Sequence, residues 1–100
     1  MNKVVITMKA KGGKTREAIA AVKALVEYVR TKHDLKSEVY MQSFGGTLGT
    51  IYVIGEHKDA ASAQAATAKL MADDGYWPIA QKLADVMVEP PTMAFLEPLY

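Results

Sequence analysis

Gly13-Lys14-Thr15 stands between a short apolar run and a helical pattern, where a phosphate-binding loop would end. Such a loop needs Gly-x-x-x-x-Gly-Lys-Ser/Thr, because its first glycine opens the backbone nest that wraps the phosphates. Five residues before Gly13 is Met8, inside the apolar run, so that nest cannot form. Gly12-Gly13 are expected instead to turn the chain out of a strand, leaving Lys14 solvated and no nucleotide cofactor. Metal chemistry finds equally little support. The chain has two histidines and no cysteine, and neither His33 nor His57 has a partner at helical ligand spacing. Glu56 and His57 are neighbours in a strand-like run and so point to opposite faces. His33 falls at a helix end, where the dipole gives it a structural role. Asp73-Asp74 beside Gly75 read as turn chemistry, and no metal site is expected. A nucleophile would have to be a serine, and Ser37, Ser43 and Ser62 lack the Gly-x-Ser-x-Gly setting.

The remaining chemistry is that of a pocket. Thr7, Tyr40, Gln42, Tyr52, Glu56 and His57 interrupt apolar runs, and Tyr76-Trp77 stand at a break between helical patterns. Trp77 is the expected pocket wall, beside Tyr76, because a helix that stops and restarts frees backbone groups and opens a gap. Tyr52 and His57 are the expected polar groups from the third strand, with Tyr40 on the second. Tyr52 and His57 are separated by an odd number of residues, so a regular strand turns only one of them inward, and they stand as alternatives. The same aromatic residues would serve a protein interface equally well.

The elements that must position these residues follow from periodicity. Val4 to Met8 is short, β-branched and apolar on both parities, which predicts a strand covered on both faces. From Thr15 to His33 the apolar residues Ala18, Val22, Leu25 and Val29 recur at helical spacing, with Thr15 as the expected N-cap. Ser37–Phe44 and Thr47–His57 are strand-like runs around Gly45-Gly46, which predicts a hairpin. Asp59 should cap an alanine-rich helix, and Gly75 should end it. Pro78 suits the first turn of a short helix reaching about Val86, and Thr92–Leu96 reads as the last strand. The order β-α-β-β-α-(α)-β is the ferredoxin-like plan, an α+β fold with helices on one face of a four-stranded antiparallel sheet. One domain spanning 1–100 is expected. Helices on one side leave the second apolar set, including Tyr40 and Phe44, exposed, and a homodimer pairing two sheets would cover it.

This pattern resembles the dimeric α+β barrel superfamily, with its antibiotic-biosynthesis-monooxygenase-like and NIPSNAP-like families. The likeness lies in the order and length of the elements and in three local details. These are Lys11-Gly12-Gly13-Lys14 with Arg16-Glu17, the Asp59-Ala60-Ala61 helix start, and Asp73-Asp74-Gly75-Tyr76-Trp77. The resemblance implies a homodimer with a small-molecule pocket. For the monooxygenase-like members it implies a cofactor-free oxygenase of aromatic polyketides, with substrate held by Asn, Trp, Tyr and Arg. Asn2 and Trp77 stand where such residues could serve. The leading expectation is a small-molecule-binding homodimer whose ligand is apolar or aromatic. The alternatives are a cofactor-independent monooxygenase or isomerase, and a structural protein without a ligand.

Composition bounds the partners. With 100 residues, 50% hydrophobic and 23% charged, the chain is an ordinary globular domain in size and balance. A formal net charge of +1 offers no footprint for nucleic acid or an anionic membrane. No run is long enough to span a bilayer, and a cytoplasmic protein is expected.

Overall fold

The computed structural model of the chain describes every residue except Thr47. The elements follow the expected order: β1 (Asn2–Lys9), α1 (Thr15–His33), β2 (Ser37–Met41), β3 (Thr50–His57), α2 (Ala60–Met71), α3 (Tyr76–Asp85) and β4 (Thr92–Leu96). The four strands form one antiparallel sheet in the order β2-β3-β1-β4, the ferredoxin-like arrangement. No helix among the described residues is long and apolar enough to cross a membrane.

Register assigns the two faces. Ile6 is opposite Val53 and Met8 opposite Ile51, so the even residues of β1 and the odd residues of β3 share a face. That face is under the helices, because Met8, Ile51 and Val53 are buried with Ala18, Val22, Leu83 and Met87. The other face carries Val5, Tyr52, Ile54, Ala94 and Leu96, with Tyr40 paired directly to Tyr52. No helix covers it, so the double parity of β1 reflects one face under helices and one left open.

The core is lopsided. The first half of α1 and the end of α3 pack on the Met8–Ile51 end of the sheet. There Lys11 N donates to Val86 O at 2.9 Å and Val88 N to Lys9 O at 2.9 Å, tying the two segments together. Over the Val4–Gly55 end stand the second half of α1 and α2, and no residue of α2 is buried.

Two local expectations are corrected. Thr15 is the first helical residue rather than the cap, and Lys14 at the N-cap makes no side-chain bond to the helix. β2 and β3 form the expected antiparallel hairpin, but β2 ends at Met41 and β3 begins at Thr50, so they are not joined by a tight turn at Gly45-Gly46. Gly45, Gly46 and Gly49 all take positive φ, at 76°, 84° and 85°, outside the strand region. Phe44 therefore sits in the loop, 86% exposed, instead of on the open face. The expected strand start at Thr47 lies outside the described residues. By contrast Asp59 caps α2 as expected, its side chain accepting from Ser62 N at 2.8 Å.

Candidate ligand cavity

Alanine content creates the site. On α2 the residues Ala63, Ala66, Thr67 and Leu70 fall at helical spacing on one stripe, and all four line a cavity of about 780 Å³ beneath the helix. Two of the four are alanines, too short to reach the strands below. The floor is the helix-covered face of the sheet, Val4 and Ile6 of β1, Val53 of β3 and Met93 of β4. Leu25, Val26 and Val29 of α1 form a side wall, with Met71 and Tyr76 at the α2–α3 junction. This volume is in the range of small-molecule sites, which pair apolar walls with a few placed polar groups.

Those polar groups come from one end of the fold. The last turn of α1, the start of β2 and the end of β3 meet there, bringing Arg30, Asp34, Ser37 and His57 to the wall. Asp34 holds the left-handed conformation that ends α1, at φ 54°, with its N–H donating to Arg30 O. Arg30 is engaged by Glu27 one turn earlier. Gly55 is at the centre of this end, flanked by Val4 on β1 and Ser37 on β2.

The junction of α2 and α3 is fixed by a node between the C-terminal part of α1 and the break at Gly75. Tyr28 Oη donates to Asp73 Oδ2 at 2.7 Å, and His33 Nε2 lies 2.7 Å from the same oxygen. An ionised carboxylate only accepts, so the proton on this contact belongs to His33 Nε2. Gly75 N donates to Asp73 Oδ1 at 2.9 Å. A Cβ at Gly75 would fall 2.5 Å from Tyr28 Oη, so the node requires glycine there. It places Tyr76, whose N–H donates to Asp73 O at 3.1 Å, as a cavity wall. Burial pushes the Tyr76 phenol above its usual pKa, keeping it a neutral donor.

The bonds from Tyr28 and then His33 hold the Asp73 carboxyl well below the ordinary 3.8, at about 2. A carboxylate depressed on folding stabilises the fold above its unfolded pKa, and that contribution is lost as pH falls through the folded one. Asp73→Asn should therefore lower the melting temperature at neutral pH. The gap between wild type and variant should shrink from about pH 4 down to about pH 2. Thermal melts of both proteins across that range check this; a gap independent of pH would separate the node from the charge on Asp73.

The five sequence-derived candidates fall in three places. His57 and Tyr76 line the cavity. Trp77 turns outward, 48% exposed, and its indole N–H donates to Met71 O at 3.2 Å, satisfying a carbonyl left free at the end of α2. It meets Tyr76 edge-on with ring centroids 5.6 Å apart. Tyr52 and Tyr40 are on the open sheet face, where Tyr52 Oη donates to Gln42 Oε1 at 2.7 Å and Tyr40 Oη bonds Glu38. That bond and the nearby charge of Glu38 raise the Tyr40 pKa. The odd separation of Tyr52 and His57 thus resolves without a bulge. Sequence reading missed Tyr28, whose bond to Asp73 spans 45 positions, and Ser37 and Gly55. Only Gly55 carried a signal, a glycine inside an otherwise β-branched run. Among the described residues no group of three His, Asp or Glu side chains could hold a metal ion.

No family profile and no curated protein matches the chain. Solved structures do match over nearly its whole length. An uncharacterised NIPSNAP-domain protein from Burkholderia xenovorans aligns with a TM-score of 0.83 at 19% identity, covering 98% of this chain and 94% of the other. A NIPSNAP-family protein of unknown function from Agrobacterium tumefaciens gives 0.82 at 19%, covering 98% and 87%. A candidate antibiotic biosynthesis monooxygenase from Nitrosomonas europaea gives 0.74 at 17%, covering the whole of both chains. The chain has the ferredoxin-like α+β fold of the NIPSNAP-like and antibiotic-biosynthesis-monooxygenase-like proteins.

Proposed function

We propose that residues 1–100 form one domain that pairs with a second copy and binds a small, largely apolar molecule in the cavity under α2. The observation that carries this reading is the cavity itself: about 780 Å³, apolar on most of its wall, with His57, Ser37 and Tyr76 among its polar groups. An empty apolar space of this size costs contacts that a folded chain would otherwise make, and a ligand restores them. Pairing is supported by the open sheet face, where Val5, Tyr52, Ile54 and Leu96 form an apolar surface uncovered by any helix. The ligand enters from the polar end, so an aromatic or aliphatic body lies against Val4, Ile6 and Val53.

Native mass spectrometry of detergent-free protein tests both parts at once. The expected spectrum is a dimer carrying small-molecule adducts that are lost on denaturation. A dimer without adducts, together with no uptake of an added apolar probe, would reduce the protein to an assembly module. Oxygen uptake with a hydroquinone probe distinguishes binding from the monooxygenase chemistry named for the Nitrosomonas europaea neighbour.

A further inference from the structure

Gly55 is in the interior of β3, where glycine weakens a strand by its backbone entropy. Neither usual reason for a glycine applies. Its φ is outside the left-handed region, and a Cβ built there would make only ordinary contacts. Those contacts identify what the missing side chain leaves open. The nearest atoms are Ser37 Oγ at 3.6 Å, Lys36 O at 3.8 Å and His57 Nε2 at 3.9 Å. All three are polar, in a cavity whose adjoining floor is Val4 and Val53.

From this convergence we infer that the space over Gly55 is a notch that recognises the hydroxyl group of an otherwise apolar ligand. The inference rests on the cavity reading above and names the ligand's polar end. Lys36 O can only accept, Ser37 Oγ can donate and accept, and a neutral imidazole nitrogen does one or the other. A hydroxyl satisfies that set, donating to the carbonyl or the ring while accepting from Ser37. A carboxylate or phosphate would face the Lys36 carbonyl without a proton to give. It would also meet Asp34 at the same end of the cavity, where Arg30 is already engaged by Glu27 and Lys36 is the other cation. The ligand class is therefore a neutral alcohol on an apolar body, and Gly55 sets its specificity by leaving room for the oxygen.

The test uses the full chain, N-phenyl-1-naphthylamine fluorescence as the reporter of cavity occupancy, and 1-decanol, decanoate and decylammonium as competitors. Decanol should displace the reporter about ten-fold better than either charged analogue, as expected from hydrogen bonds made by one and lost by the others. Gly55→Val, which suits a strand and fills the notch, should bind the reporter but weaken decanol about ten-fold. Ser37→Ala should weaken it about five-fold and serves if the valine variant misfolds. Equal competition by all three competitors, or better competition by decylammonium, would overturn the hydroxyl assignment. Decanol binding unchanged in both variants would overturn the notch while leaving the cavity standing. A wild-type protein that takes up neither reporter nor alcohol would remove the cavity reading and the notch with it.

Discussion

Tyr52→Lys should give a folded monomer at micromolar concentrations where the wild-type chain should sediment as a dimer. Tyr52 is on β3, an interior strand of the sheet, flanked by Thr7 on β1 and Tyr40 on β2. It points away from the helices, and its hydroxyl donates to Gln42 Oε1. In a two-fold pairing of open faces, a residue near the middle of one sheet lies close to its own symmetry mate. Two lysines would then be desolvated side by side. A buried unpaired charge costs about 3 to 5 kcal/mol, so the dimer should weaken by about a hundred-fold or more. In the monomer the same lysine reaches water and the secondary structure should be unchanged. Sedimentation velocity with circular dichroism reads both. A variant that stays dimeric at wild-type affinity would show that the open face is not where the copies meet.

The face that carries this prediction illustrates how far the sequence was legible. Strand and helix identities were written in local periodicity, and β4 runs over the expected Thr92–Leu96. The α1 stripe was equally plain, since Ala18 and Val22 are buried and Leu25 and Val29 line the cavity. Which parity of β3 met the helices was not legible, because Ile51-Val53 and Tyr52-Ile54 are both apolar pairs. Only the register with Met8 settles it. The hairpin itself forms as expected, with β2 and β3 antiparallel, but two adjacent glycines look like a tight turn while β2 already ends at Met41 and β3 begins only at Thr50. Trp77 was expected to wall the pocket because it stands at a helix break. The break does border the cavity, but the first position of α3 turns Tyr76 to the wall and the next turns Trp77 to the carbonyl of Met71. One residue along a helix is about 100° of rotation, which the start position alone decides.

Ala63→Leu and Ala66→Leu in α2 should each raise stability and, together, block uptake of an apolar probe into the cavity. The sequence allows two opposite reasons for an alanine-rich helix above a sheet. Small residues let helix and strands approach closely, or they leave a space between them. The first reason predicts overpacking, with a loss of about 1 to 3 kcal/mol for each added side chain. The structure supports the second, because both alanines face a cavity of about 780 Å³ and no residue of α2 is buried. Each leucine adds three carbons to that space, and filling a cavity typically adds about 0.5 to 2 kcal/mol. Leucine also keeps the high helix propensity of the segment, so the gain is not offset in α2 itself. The same atoms would occupy the space proposed for a ligand, and uptake of an apolar fluorescent reporter should fall by about ten-fold or more in the double variant. Chemical denaturation gives the sign of the stability change, and reporter titration gives the binding. Stability and binding moving in opposite directions is the signature of a helix kept thin for a ligand. A destabilised double variant would mean that α2 closes onto the sheet in solution.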